Sequence, residues 1–267
     1  MRNIGINLHA IEGLSDEDYV KLISSLGFDA TFTLYTAYTA DRKLALSHAE
    51  LFAKYGLAWE TIHAPYGCPN DFWKEGEVGE EAIQEQIDCV DLCASIGVPI
   101  SIVHLSSGMT PPPTTDVGRA RIERLINHAT KKGVTLAFEN QRKLFNLAWV
   151  FDFYGNESSV GFCWDTGHEA CFTAGTQYMP FFGKHLCCTH IHDNYGVFNQ
   201  DCHMLPFDGS IDFDRVARQI RESGFSGSLM LECIETNSDR YVGFSPEEYL
   251  NRAADAVKKL RTMVDGQ

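Results

Sequence analysis

The sequence has no long apolar run and no strongly basic stretch, and both absences limit what the chain can do. No apolar run reaches the roughly 18 residues that a membrane-spanning helix requires, so no membrane span is predicted. The formal net charge is −14, and the densest basic stretch, Arg119 to Arg124, is typical of a solvated helix face. Because proteins bind phosphate backbones through clustered Lys and Arg, this charge argues against nucleic acid as a partner.

Regularly spaced cysteines are also missing, although the chain has nine of them. The close pairs Cys89/Cys93 and Cys187/Cys188 lack the C-x₂-C spacing that is usual for zinc thiolate sites. The first residues enter a strand pattern directly, without the layout of a signal peptide. We therefore expect reduced thiols and a cytoplasmic protein.

What the sequence does have is a strict alternation of strand-like and helix-like segments. Strands are predicted at residues 2–8, 29–34, 57–63, 98–105, 134–139, 160–165, 186–192 and 227–232, with helical patterns between them. This alternation is typical of a parallel sheet with crossover helices. Eight units, in a chain close to the typical 250 or so residues, favour an α/β fold with a single (β/α)₈ TIM barrel. The barrel is expected to be one domain over residues 1–267, and a doubly wound open sheet is the alternative.

Six apolar runs, each in a different predicted strand, end in a side chain that binds metals. In a (β/α)₈ barrel the carboxyl ends of the strands meet at one face, where active sites lie. The six side chains are therefore predicted to surround a metal site. They are His63, His104, Glu139, Asp165, His190 and Glu232.

Glu139, Asp165, His190 and Glu232 close the last four strands and form the predicted core of the site. Three carboxylates and one imidazole suit a divalent ion such as Mn²⁺, Mg²⁺, Co²⁺ or Zn²⁺. His192 competes with His190 for the ligand role, because side chains two apart in a strand point the same way. Candidates for additional ions or for substrate binding are His63, His104, His168, Asp201 and His203.

For Arg142 and the remaining histidines, the sequence supports only a general interpretation. Arg142 follows Glu139 by three residues and is a candidate for binding a polar or anionic substrate group, with a surface arginine as the alternative. The remaining histidines are expected to be structural or solvated; they are His9, His48, His128 and His185.

The motifs at these strand ends resemble, as an ordered set, those of the xylose-isomerase-like TIM-barrel superfamily. The motifs are Phe138-Glu139-Asn140, Cys163-Trp164-Asp165-Thr166-Gly167-His168, His190-Ile191-His192-Asp193-Asn194, Asp201-Cys202-His203, Gly209-Ser210-Ile211-Asp212 and Leu231-Glu232. The superfamily includes sugar isomerases and epimerases, dehydratases and endonuclease IV. The resemblance implies that the four core residues are metal ligands and that Glu139 and Glu232 are also the acid/base pair. It further implies that His168 binds substrate near the carbonyl end.

The resemblance extends to endonuclease IV, whose trinuclear zinc site has nine ligands. All nine are matched by type; the matching residues are His63, His104, Glu139, Asp165, His168, His190, Asp201, His203 and Glu232. However, a Phe207-Asp208-Gly209 segment replaces the Gly-Glu-Gly that the superfamily often has. The loop over 35–40 has no basic residue, and the loop after the third strand has one lysine among several acidic residues.

These observations favour a small-molecule metalloenzyme. We expect a metal-dependent isomerase or epimerase of a small sugar, polyol or related keto compound that works by two-glutamate proton transfer. A dehydratase of an inosose or a cyclic hydroxy-keto acid is the first alternative, and an abasic-site endonuclease with three zinc ions is the second. A non-catalytic binding protein is least favoured, because no ligand position is lost. Barrels of this kind commonly pair, so a homo-oligomer is expected.

Overall fold

The computed structural model of the protein describes residues 1–36 and 41–266. It contains eight strands: β1 (Ile4–Asn7), β2 (Ala30–Leu34), β3 (Ala58–His63), β4 (Ile100–Val103), β5 (Thr135–Glu139), β6 (Val160–Asp165), β7 (Leu186–His190) and β8 (Leu229–Leu231). The α-helices of the described part are α1 (Asp16–Ser25), α2 (Arg42–Lys54), α3 (Glu77–Ile96), α4 (Asp116–Lys132), α5 (Leu144–Tyr154), α6 (Thr166–Phe172), α7 (Met179–Phe182), α8 (Phe213–Ser223) and α9 (Pro246–Asp265).

All eight strands belong to one sheet, in which β1 to β7 are neighbours in chain order and β8 lies next to β1. The pairing of β1 is parallel on both sides, with Gly5 opposite Ala30 in β2 and opposite Met230 in β8. Ile191, directly after β7, forms a parallel bridge with Leu231 in β8. This order confirms the predicted (β/α)₈ TIM barrel and excludes the doubly wound open sheet, in which the first and last strands do not pair.

The chain divides into two compact units. The first unit comprises Met1–Phe32, Ala49–Trp59 and Trp164–Gln267, and its core includes the fully buried Ile6, Leu231 and Val257. The second unit comprises Thr33–His48 and Glu60–Cys163, and Leu136 and Phe138 are fully buried in it. Such apolar strands are typical of parallel sheets covered on both faces.

Helix ends follow the local signals in the sequence. The Thr115 hydroxyl accepts a hydrogen bond from the Gly118 amide at the start of α4, and Ser245 and Glu248 form a capping box at the start of α9. Gly97 and Gly133 end α3 and α4 in the left-handed conformation that glycine adopts without strain. These helices therefore begin and end where capping residues and glycines stand in the sequence.

All strands except β6 are shorter than the sequence predicts, and two of these differences leave a predicted ligand past the end of its strand. β4 covers Ile100–Val103 instead of 98–105, and β8 covers Leu229–Leu231 instead of 227–232. Pro99 has no amide hydrogen for a strand ladder, which explains the late start of β4. As a result, His104 and Glu232 stand one residue past their strands, whereas His63, Glu139, Asp165 and His190 are the last residues of theirs.

Two further predictions concern the whole described chain. In the part of the chain that the structure describes, the nine cysteines form no disulfide. Among the described helices, none combines the length and the apolar character needed to cross a membrane.

Candidate metal centre

Three of the four predicted core ligands lie in the first unit. His190 is fully buried, and its Nδ1 atom lies 3.1 Å from Oε2 of Glu232. The ring of Phe32 stacks on the His190 imidazole with 4.6 Å between centroids, which fixes the plane of the ring. Asp165 is also fully buried, and its Oδ1 accepts a hydrogen bond of 2.6 Å from the His168 amide at the start of α6. Buried carboxylates of this kind require positive partners.

An outer cluster in the same unit surrounds the Asp201 carboxylate. The Nε2 atoms of His168 and His203 both lie 3.2 Å from Oδ2 of Asp201. The ring of His192 stacks on that of His203 at 4.2 Å, and its Nε2 lies 3.0 Å from Oδ1 of Asp165. One ligand atom from each of His192, Asp201 and His203 lies within 4.8 Å of the others, a separation that suits a bound cation.

The charges in this outer cluster are strongly coupled. Burial by itself raises the pKa of the Asp201 carboxyl, but hydrogen bonds from His168 and His203 outweigh it and lower that pKa well below its ordinary value. Burial opposes protonation of His203, yet its bond to Asp201 and the charge of Glu232 raise the pKa of His203 to about 9. The cluster therefore favours positive charge next to Asp201, supplied either by a proton or by a cation.

The fourth core ligand, Glu139, lies in the second unit with two histidines. Its Oε2 atom lies 2.9 Å from Nε2 of His104 and 3.3 Å from Nε2 of His63, and these two nitrogens are 3.1 Å apart. The Glu139 side chain is fully buried, and the two imidazoles are nearly so. Gln141 also approaches Nε2 of His104 at 3.1 Å.

The tautomer of His63 shows whether these residues fit a metal ion. The Nδ1 atom of His63 lies 2.8 Å from the carbonyl oxygen of Ala64, and a carbonyl only accepts, so Nδ1 carries the hydrogen. In the neutral ring, Nε2 therefore presents a lone pair toward the Glu139 carboxylate. A lone pair and a carboxylate at 3.3 Å repel each other unless a positive charge lies between them. In the first unit, Nδ1 of His192 and Oδ1 of Asp201 are buried without a hydrogen-bond partner in the described part of the chain. Both observations fit a divalent cation.

Each remaining sequence prediction has a definite place in the structure. His63 and His104 accompany Glu139, and His168, Asp201 and His203 come together as a cluster. Arg142 lies half-buried between β5 and α5. His192, the competitor of His190 for the ligand role, lies with Nε2 3.0 Å from Oδ1 of Asp165, the last residue of β6.

The departure from the Gly-Glu-Gly pattern has a structural account. Asp208 accepts hydrogen bonds of 2.9 Å from the Tyr241 hydroxyl and from Nε of Arg252, and it forms a further close contact with Nη2 of Arg252. Arg240 adds a second ion pair. Asp208 therefore holds its loop against α9.

Comparison with known proteins gives one family and many similar folds. The profile of the xylose isomerase-like TIM barrel family matches residues 20–261. Protein y4fM of Sinorhizobium fredii (strain NBRC 101917 / NGR234) is 32% identical over 191 residues, which cover 66% of this chain and 58% of that protein. The match thus spans less than two thirds of the length of that relative.

Three solved structures illustrate the likeness in fold. D-psicose 3-epimerase with D-tagatose from Clostridium cellulolyticum H10 has a TM-score of 0.76 and 16% identity over 99% of both chains. A xylose isomerase domain protein from Alicyclobacillus acidocaldarius has a TM-score of 0.76 and 18% identity over 99% of both chains. L-ribulose 3-epimerase has a TM-score of 0.75 and 17% identity over 100% of this chain and 95% of its own. At these identities the likeness supports the fold.

Proposed function

The chain belongs to the xylose isomerase-like TIM barrel family, and from this premise we propose that it is a divalent-metal-dependent isomerase or epimerase of a small sugar, polyol or related keto compound. One observation carries the proposal. The last four strands of the barrel each end in, or are followed directly by, a member of one ligand set: Glu139, Asp165, His190 and Glu232. Carboxyl ends of barrel strands form the active-site face.

The proposed ligand set is matched to the chemistry of proton transfer next to a carbonyl. A divalent ion bound by these residues would act as a Lewis acid toward adjacent carbonyl and hydroxyl oxygens of the substrate and acidify the neighbouring C–H bond. One glutamate then removes that proton, and the other returns a proton to the same or a neighbouring carbon. The Glu232 side chain keeps 12% exposure while Glu139 has none, so Glu232 is the better placed to exchange its proton with solvent.

Three residues are proposed to bind the substrate. His168 lies next to Asp165 at the start of α6, and its ring stacks on Phe172 at 4.9 Å, which holds it in place. His63 presents a lone pair that can accept a hydroxyl hydrogen. Arg142 follows β5 and is proposed to bind a polar or anionic end of the substrate.

The two histidine clusters support a second candidate, an endonuclease of the endonuclease IV type. His63 and His104 with Glu139, and His168 and His203 with Asp201, are donor sets for additional ions. The net charge of −14 opposes binding to DNA. We expect no incision of abasic-site DNA by the zinc-loaded protein, measured on a denaturing gel. Incision that polyols do not inhibit would reverse the order of the two candidates.

A dehydratase remains the closest alternative to an isomerase, because both begin with the same deprotonation. The two reactions differ in whether hydroxide leaves or a proton returns. Mass spectrometry of the product distinguishes them, since only dehydration lowers the mass by one water. A small carbohydrate-like substrate, a homo-oligomeric state and a cytoplasmic location stay predictions.

The experiment that tests the proposal is deuterium exchange from solvent into ketoses, inososes and keto acids by the metal-loaded protein. We expect Glu139→Gln and Glu232→Gln to lower metal-dependent exchange by about 10² or more, because each removes one proton carrier. Glu85→Gln, on the exposed face of α3, is the matched control and should exchange at the wild-type rate. If either active-site variant keeps wild-type exchange, the two-glutamate mechanism is wrong.

A further inference from the structure

A chain of hydrogen bonds connects the end of β1 with the segment that carries Glu232. Asn7 is the last residue of β1, and its Oδ1 accepts a hydrogen bond of 2.9 Å from the Cys233 amide. Nδ2 of Asn7 lies 3.1 Å from Nδ1 of His9. Nε2 of His9 lies 2.6 Å from Oε2 of Glu235. All of these residues belong to the first unit.

The contact of Asn7 with the Cys233 amide determines which atom is the donor in each of these hydrogen bonds. The Cys233 amide can only donate, so the atom of Asn7 facing it is the oxygen and the atom facing His9 is the amide nitrogen. Nδ2 of Asn7 therefore donates to Nδ1 of His9, which must carry a lone pair. The hydrogen of the neutral ring is then on Nε2 and is donated to Glu235. The geometry thus assigns one tautomer to His9, with Nε2 protonated.

Further hydrogen bonds hold the backbone around Glu232. The Glu232 amide donates to the Ile191 carbonyl at 3.1 Å, and the Glu232 carbonyl accepts from Nδ1 of His203 at 3.0 Å. The next amide, that of Cys233, is held by Asn7 from the opposite direction. Glu232 is therefore held by Ile191, which follows β7, and by His203, and the Ile234 amide adds a hydrogen bond of 3.0 Å to the His203 carbonyl. The side chain of Asn7 extends the pairing of β1 with β8, which reaches Leu231, to the Cys233 amide.

The surroundings make this chain of bonds stiff. Asn7 is 6% exposed, and the Tyr19 hydroxyl donates to its carbonyl at 2.7 Å. The edge of the Tyr19 ring lies against His9 at 5.7 Å between centroids. Burial raises the pKa of Glu235, but the hydrogen bond from His9 outweighs it and keeps that pKa below its ordinary value. Glu235 is therefore ionised and remains a strong acceptor.

We propose that Asn7, His9 and Glu235 form a positioning relay that fixes Glu232 for proton transfer. His9 is a positioning residue in this account, because it acts through Asn7 and does not contact Glu232. The inference rests on the proposed role of Glu232. The relay matters for catalysis because a displacement of about 1 Å in a reacting group can lower a rate by about 10².

The first test is independent of activity. In the metal-loaded wild-type protein, ¹⁵N chemical shifts should show His9 as the tautomer with hydrogen on Nε2. His9→Phe keeps the ring against Tyr19 but removes both hydrogen bonds, so hydrogen exchange of the Cys233 amide should become roughly tenfold faster or more. His9→Gln can accept from Asn7 and donate to Glu235, so it should restore slow exchange. Hydrogen on Nδ1, or an unchanged Cys233 amide in His9→Phe, would overturn the relay.

The second test separates positioning from simple loss of structure. Misplacing Glu232 affects one of the two proton transfers, so in His9→Phe the rates of deuterium entry into substrate and of product formation should fall by different factors. We expect kcat to fall roughly 10- to 100-fold with little change in KM, and His9→Gln should recover most of it. His128→Phe is the matched control, since it removes another histidine–carboxylate pair, to Asp91 at 2.9 Å, and should leave both rates unchanged.

The outcomes distinguish the relay from the proposed function. Equal losses in both rates, with kcat following the folded fraction of His9→Phe, would show that His9 is merely structural. If the wild type exchanges deuterium into none of the candidate substrates, the proposed function fails, and the tautomer and the Cys233 amide still decide the relay.

Discussion

Gly167, within the Asp165-Thr166-Gly167-His168 motif, lies directly against the His192 imidazole. A Cβ atom at this position would lie 1.9 Å from Cε1 of His192, far inside any real contact. The Gly167 carbonyl also accepts a hydrogen bond of 2.9 Å from the Asn194 side chain. The motif therefore needs a glycine so that His192 can reach Asp165.

Replacing Gly167 by alanine should displace His192 and weaken the outer cluster. We expect Gly167→Ala to lower the free energy of unfolding by roughly 1–3 kcal/mol through overpacking, measured by urea titration. Gly67→Ala is the control, since a Cβ there meets no atom within 4 Å, and it should change stability by less than about 0.5 kcal/mol. Equal stability of the two variants would contradict the close approach of His192.

The site residues that can be predicted from the sequence are those that stand at the end of a strand. Glu139 and His190 are the last residues of β5 and β7, so the apolar run before each one predicts where its side chain stands. From the sequence, His9 is expected to be structural or solvated. Its partner Glu235 is 226 residues away, and no local pattern connects the two. Such pairs depend on how distant segments pack, and one sequence carries no signal for that.

At the scale of elements, Arg121 of α4 holds the loop after β3 in place. Only 3% of this arginine is exposed. It donates to the carbonyl oxygens of Phe72 at 3.0 Å and Gly76 at 3.1 Å, closely contacts that of Lys74, and forms an ion pair of 2.8 Å with Glu80. The planar guanidinium can bind several acceptors at once, which a lysine cannot do.

Loss of Arg121 should be costly, because it removes a buried donor from the carbonyl oxygens of Phe72, Lys74 and Gly76. We expect Arg121→Met to lower the free energy of unfolding by roughly 2–4 kcal/mol. Arg124→Met removes the other ion pair to Glu80. Both side chains of this pair are half exposed, so its loss should cost much less than the loss of Arg121. Urea titrations of the two variants make the comparison, and a smaller loss in Arg121→Met than in Arg124→Met would refute this role.

Elements were predictable where local chemistry defines their ends. The capping residues Thr115 and Ser245 and the glycines after α3 and α4 are local signals, and helices begin or end at these positions in the structure. For the Asp201 to His203 stretch the sequence predicts only a long loop, and the contact with His168 comes from tertiary packing. The loop residues 37–40, which bear on the nuclease alternative, lie outside the described residues.

For the whole molecule, the net charge of −14 and the family fold are both compatible with a protein that binds divalent cations. An acidic protein repels phosphate backbones but concentrates divalent cations near its surface. In the proposed function, ligands at successive strand ends turn that general attraction into a specific one. Binding of an ion to the folded chain must also stabilise it, by about 2.7 kcal/mol when the free ion is at 100 times Kd.

The central claim is that these strand-end residues bind a divalent ion, and equilibrium titration of metal-depleted protein with Mn²⁺ tests it most directly. We predict at least one ion per chain and a rise in Tm. The matched variants are Asp165→Asn, which should weaken binding by at least about tenfold, and Asp152→Asn on the exposed face of α5, which should not. A folded wild-type protein that binds no divalent ion would contradict the account.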